Sequence, residues 1–202
     1  NFLNIWNVNN HNGVESILEA QSSSVQDKSL GSMLPTFSGA RGEDKKNFPS
    51  NDAKDVIDGW GWCMPTSDLE NAYLSENHVV RRRSTITKWG EAAYGDEVLN
   101  PTHKFSLNDN KSGRICRKYY IPIATRRALD KKDGHLPLNV PLIRLAEMYL
   151  TRAEANYQLK DEPGALNDIN VIRVRAKLDP KVGLLGPNLL RQIYKERRLE
   201  LA

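Results

Sequence analysis

The stretch from Val140 to Leu178, VPLIRLAEMYLTRAEANYQLKDEPGALNDINVIRVRAKL, constrains the fold more than any other part of the chain. Leu142, Leu145, Ala146, Tyr149, Leu150 and Ala153 recur at the spacing of one helical face. Asp161, Pro163 and Gly164 interrupt the pattern, with Pro163 placed where a helix can start. Ala165, Ile169, Ile172 and Ala176 then form a second stripe. The turn between the stripes is short, so the spacing predicts antiparallel helices over 142–159 and 164–177 that bury their apolar faces on each other. Tyr149, Ala153, Ala165, Ile169 and Ile172 follow the bulky, small, small, apolar, apolar order of a tetratricopeptide hairpin. The two alanines would let the backbones approach closely. An ordinary helical hairpin fits the same residues, and one repeat does not separate the two.

After this hairpin, Gly186, Pro187 and Asn188 open a third helix, with Leu189, Leu190, Ile193 and Leu201 as its apolar residues. The chain before Val140 reads differently. Asn1 to Trp6 resembles the end of an amphipathic helix, and Asn7 to Gly13 is a polar, turn-forming run. Glu15 to Gln21 is expected to be a short strand. Ser22 to Asp58 is polar and punctuated by Gly31, Pro35, Gly39, Gly42 and Pro49; irregular stretches of this length are usually functional or disordered. Its charge run GEDKKN reads as a solvated tip. GWGWCMPTSDLENAYL predicts a helix near 66–76, with Ser67 and Glu70 at capping-box spacing and Leu69, Ala72 and Tyr73 facing inward. RRSTITKWGEAAYGDE mixes a possible strand with a glycine-bounded loop. RICRKYYIPI reads as a strand that Pro122 confines to an edge. The expected fold is mainly α, with a loop-rich, short-strand region over 1–140 and a tetratricopeptide-like helical region over 141–202.

Hydrophobic residues make up 39% of the chain and charged residues 27%, which places it among folded rather than disordered proteins. The formal charge of +4 permits a nucleic-acid partner without arguing for one, because acids and bases alternate along the helices. No nucleic acid is expected. No apolar run reaches membrane-spanning length. Cys63 and Cys116 form no CxxC or Cys/His cluster, so neither a disulfide framework nor a zinc site is indicated, although one bridge stays open. His11, His78, His103 and His135 fall in loops, none at metal spacing. No cofactor or metal is expected.

Trp60, Trp62, Trp89 and Tyr94 stand outside the helical stripes, in loop or strand-edge contexts. Such aromatics offer flat apolar faces to a ligand, or they pack the loops onto the helices. Trp60 and Trp62 share parity, so an extended segment would point both to one side. Arg81, Arg82 and Arg83 could clamp an acidic ligand; a solvated turn is the preferred reading. Glu147, Arg152 and Glu154 are expected to form ion pairs between helices.

PLIRLAEMYLTRAEANYQL, then ALNDINVIRVRAKL, then IYKERRLELA together resemble the C-terminal part of the SusD/RagB family of surface glycan-binding lipoproteins. The matching residues are Arg144, Ala146, Glu147, Tyr149, Leu150, Arg152, Ala153, Glu154 and Ala155. They continue with Leu166, Asn167, Ile172, Arg173, Arg175 and Ala176, and then Glu196, Arg197, Arg198, Glu200 and Leu201. The likeness is weaker toward the N-terminus. Asn77 and His78 replace the family's Asp-Pro-Arg turn, which unsettles the register over 77–83. The resemblance implies one SusD-like domain, truncated at both ends, with any lipoprotein signal upstream. It implies oligosaccharide capture at the extracellular face of the outer membrane. There the protein would be lipid-anchored and partnered with a SusC-like TonB-dependent transporter, without hydrolysis. A peptide-capturing lid of the same architecture and an unrelated tetratricopeptide adaptor are the alternatives. The adaptor would need further helix-pair repeats, and 7–140 shows none in sequence.

Overall fold

The computed structural model describes residues 2–23, 30–39, 59–88, 91, 112–122, 125, 128 and 135–202. A 3-10 helix (Phe2–Trp6) leads into β1 (Ser16–Ala20), and short α1 spans Leu34–Phe37. Helices α2 (Ser67–Leu74) and α3 (Val79–Thr85) precede β2 (Ile86–Lys88), β3 (Arg114–Cys116) and β4 (Val140–Arg144). Three longer helices follow: α4 (Leu145–Gln158), α5 (Glu162–Arg175) and α6 (Gly186–Leu201). The fold is mainly α, with a tetratricopeptide-like hairpin and short strands at its margin.

The hairpin forms as the two stripes demand. Asp161 caps α5 by accepting from the Gly164 amide at 3.0 Å, and Pro163 sits in the first turn, where its missing N–H costs nothing. Ala146, Leu150 and Ala153 of α4 meet Ala165, Ile169 and Ile172 of α5, and Leu189 and Ile193 of α6 complete this core. Ala153 and Ala165 are both fully buried. Arg152 spans the hairpin outside, donating from Nε and Nη2 to the two Asp168 carboxylate oxygens at 2.9 and 2.6 Å. Glu147 lies 3.5 Å from Arg197, tying α4 to α6, and the Tyr194 hydroxyl donates to Glu154. Inter-helix roles for Glu147, Arg152 and Glu154 are therefore observed.

The first helix starts later than its periodicity predicts. Residues 140–144 form β4, paired antiparallel with β1, and α4 begins at Leu145. Leu142 is on a strand and exposed, not on the buried helical face. Val140 and Ile143 are β-branched, Pro141 disfavours a helical residue before it, and β1 supplies the backbone partners. A short apolar run does not distinguish the two states by period alone.

Three further elements differ from expectation. The cap of α2 is Thr66, whose hydroxyl accepts from the Leu69 amide at 3.2 Å; the expected box on Ser67 and Glu70 does not form. Glu70 is instead buried, bound by Arg82 and Arg114. The strand in RICRKYYIPI is confined to Arg114–Cys116, paired with β2 through Ile86–Cys116, Thr87–Ile115 and Lys88–Arg114. α2 and α3 make a second, shorter helix pair within 7–140, where the sequence showed none. Tyr73 of α2 packs with Ile86 and with Leu199 of α6, and its hydroxyl donates to the Leu199 carbonyl at 2.9 Å. Among the described residues, no helix is long and apolar enough to cross a membrane.

Candidate functional site

The C-terminal end of α1 leaves backbone carbonyls without helical partners. The segment around Trp60 fills them. The Trp60 amide donates to the Thr36 carbonyl at 2.9 Å and the Trp62 amide to the Phe37 carbonyl at 2.8 Å. Between them the Gly61 amide donates to the Gly39 carbonyl at 3.0 Å. The approach is close: a Cβ on Gly59 would sit 2.1 Å from the Gly39 carbonyl carbon. Gly61 adopts φ +67°, a left-handed conformation that side chains resist.

This backbone brings three rings together. Trp60 and Trp62 have centroids 4.9 Å apart with their planes inclined by 68°. Phe37 lies 4.9 Å from Trp60 and stacks 5.1 Å from Trp62 at an interplanar angle of 27°. Trp60 is 44% exposed and Trp62 53%. Rings that packed the loops as core would be covered; these form an open corner backed by Phe37. Trp60 and Trp62 do lie together, but through the left-handed turn at Gly61 and not through the parity of an extended strand. Phe37 went unnoticed within a polar stretch, where Pro35-Thr36-Phe37 was the available signal. Trp89, Tyr94 and the GEDKKN run lie outside the described residues.

Of the three consecutive arginines only Arg83 is solvated, and none stands in a turn. They lie on α3, where Arg81 is fully buried and Arg82 nearly so. Arg81 Nη1 donates to Glu196 Oε2 at 2.6 Å, and its Nε lies 3.2 Å from Glu200 Oε2. Arg82 donates to Glu70 at 2.9 Å and Glu91 at 2.7 Å. Both α6 carboxylates are fully buried. Glu196 also receives Arg173, while Glu200 receives Arg144 at 2.9 Å and lies 2.6 Å from Arg175. Arg175 in turn reaches Glu15 ahead of β1. Buried charges need this degree of pairing.

The same hub holds the candidate metal cluster among the described residues. His78 is not an isolated loop histidine, because Glu76, His78 and Glu196 offer ligand atoms within 4.8 Å of one another. Their carboxylates are already engaged by cations: Glu76 by Arg173, Lys181 and Lys195, Glu196 by Arg81 and Arg173. Burial raises the Glu76 carboxyl, but the Lys195 and Lys181 ammonium groups override it and hold its pKa down at about 2. A divalent ion would have to displace these groups, so the arrangement is an ion-pair hub. Cys63 and Cys116 are both free thiols, and burial pushes the Cys116 thiol up.

Fold and site together define a class: a tetratricopeptide-like helical scaffold that carries an aromatic corner on its loops. The chain belongs to the SusD family, whose model matches residues 14–202. No curated protein sequence matches it. Among solved structures it resembles a laminarin-binding SusD-like protein, with a TM-score of 0.72 and 22% identity. That match covers 100% of this chain and 42% of the other. It also resembles surface glycan-binding protein A from Bacteroides uniformis (TM-score 0.67, 22% identity, 98% of this chain and 37% of that one). The same protein from Bacteroides thetaiotaomicron, in complex with laminarihexaose, gives a TM-score of 0.69 at 20% identity, over 99% and 42% of the two chains. The chain spans less than half the length of each of these structures.

Proposed function

We propose that this chain is the scaffold and part of the ligand surface of an oligosaccharide-capturing lid. The lid is lipid-anchored at the extracellular face of the outer membrane and passes its ligand to a SusC-like TonB-dependent transporter. The observation that carries the capture reading is the open Phe37–Trp60–Trp62 corner, held rigidly by backbone hydrogen bonds to α1. Half-exposed indoles suit the C–H faces of sugars, and a preorganised anchor loses little freedom on binding. Family membership supports the same reading, as do similar structures described with laminarihexaose and with xylogluco-oligosaccharide. Trp89 and Tyr94 join the proposed surface on sequence grounds. The transporter partnership rests on family membership, and its check is co-purification of the full-length protein with a SusC-like barrel.

Calorimetric titration tests capture. An oligosaccharide should bind while oligopeptides give no heat. Trp60→Ala or Trp62→Ala should each weaken binding by roughly 2 kcal/mol, as truncated hot-spot aromatics do, with melting unchanged. A core tryptophan would instead cost about 3–5 kcal/mol of stability. Two folded variants that bind as the parent does would remove the corner from the site.

A further inference from the structure

The sequence holds two cysteines, Cys63 in the segment ahead of α2 and Cys116 at the end of β3. Arg114 and Cys116 share parity on β3, so their side chains leave the same face of the strand. Arg114 grips Glu70 in the first turn of α2, with Nε 2.7 Å and Nη2 2.6 Å from Oε2. That ties this face of β3 to the start of α2, and Cys63 lies just ahead of the Thr66 cap. The acidities of the neighbouring groups report the same cluster. Burial raises Tyr73, Cys116 and Tyr119 first, and thiol charge adds to each: Cys116 acts on both tyrosines, and Cys63 on Cys116 and Tyr119. Like charges act this way on near neighbours, so the exposed Cys63 faces the turn that follows β3. The amides of Lys118 and Tyr119 donate to the Cys116 sulfur, and the Lys118 ammonium also favours its thiolate. Cys63 stands at φ +54°, a left-handed conformation that a side chain resists. Backbone held in such a state concentrates at functional and switching positions.

We propose that Cys63 and Cys116 close into a disulfide when the protein meets an oxidising small-molecule disulfide, and that this staple fixes the segment before α2 to β3. The staple would form whatever ligand the protein takes. Cys63 reacts first, because it is exposed. Its thiolate attacks one sulfur of the small disulfide, leaving a mixed disulfide on Cys63 and releasing one small thiol. The Cys116 thiolate then attacks the Cys63 sulfur and releases the second small thiol. Each departing thiolate takes up the proton that its attacker gave up. Two electrons pass to the small disulfide, and two protein S–H bonds become one S–S bond. Burial keeps Cys116 from reacting alone, while the two amides and Lys118 steady its thiolate in the second step. The loop closed between Cys63 and Cys116 is long, the case in which a crosslink stabilises most.

The test is incubation of the fully reduced protein with excess oxidised glutathione, read by intact mass, non-reducing peptide mapping and melting. The expected product has lost two hydrogens, carries no glutathione and yields a peptide pair joined through Cys63 and Cys116. It should melt at a higher temperature than the reduced protein, and a dithiol reductant should reverse both changes. Cys116→Ser should instead keep one glutathione on Cys63. Cys63→Ser should leave Cys116 unmodified while folded. Glutathione retained on Cys63 of the parent, with Cys116 still free, would overturn the proposal. So would a covalent dimer joined through Cys63, a parent that stays fully reduced, or an oxidised form that melts no higher. These readings need only the parent chain, so they hold even where a serine variant fails to fold.

Discussion

The His78 ring is 1% exposed, and its Nδ1 accepts from Arg81 Nη1 at 3.4 Å. The neutral ring therefore carries its proton on Nε2, which faces Glu76 Oε2 at 3.6 Å. Burial lowers its pKa below 6.5, Arg81 and Arg173 add to this, and Glu196 and Glu76 oppose it. A depressed histidine contributes stability above its unfolded pKa and loses it as pH falls toward the folded value. Melting temperature should thus fall as pH drops below 6.5, more steeply than in His78→Gln. The variant should keep part of the slope, because burial depresses His11 too. Equal slopes would mean that His78 takes up its proton as readily in the folded as in the unfolded chain. None of this was legible in the sequence, because the groups that face His78 include Glu196, far along the chain. Arg81 failed to read as buried for the same reason: its carboxylate lies 115 positions away. Trp60 and Trp62 were legible because their relation is local, two residues apart in one short segment. Phe37 was not, because only the fold brings α1 beneath them.

Helices α4 and α5 were readable as a pair because both stripes and the turn between them lie within one short stretch. The contact of Ala153 with the facing helix has no room for a larger side chain. Ala153→Leu should cost on the order of 1–3 kcal/mol in denaturant unfolding, and a variant as stable as the parent would refute close packing there. The boundary at Leu145 was not readable, since strand partners from β1 decide it. Between α3 and α6 the contact is electrostatic. Arg81→Leu would leave Glu196 with Arg173 and Glu200 with Arg144 and Arg175, but would strip a buried guanidinium from both. Breaking a buried pair from one side typically costs about 3–5 kcal/mol, so this variant should unfold at clearly lower denaturant. A loss below about 1 kcal/mol would show that the remaining arginines compensate fully.

Across the whole molecule, the aromatic corner and the ion-pair hub occupy different elements, so binding and stability should respond to different mutations. Capture at equilibrium needs no acid and base with separated pKa values. Chromatography of an oligosaccharide held with the purified protein should show no shorter products; release that vanishes on mutating one carboxylate would contradict a purely binding role. The hub has a consequence in time as well as space. Glu196 and Glu200 are made after every arginine they neutralise: Arg81, Arg144, Arg173 and Arg175. During synthesis Arg81 and Arg144 wait, solvated, for these carboxylates, while Arg173 and Arg175 already have Glu76 and Glu15 within the translated chain. Hydrophobic burial in the α4–α5 hairpin can proceed meanwhile, and Arg82 can join Glu70 and Glu91, yet Arg81 and Arg144 have no counter-charge to close on. Arg81 and Arg144 therefore gain their buried carboxylates only once α6 has been made, so α3 and the end of β4 are the late-closing parts of the hub.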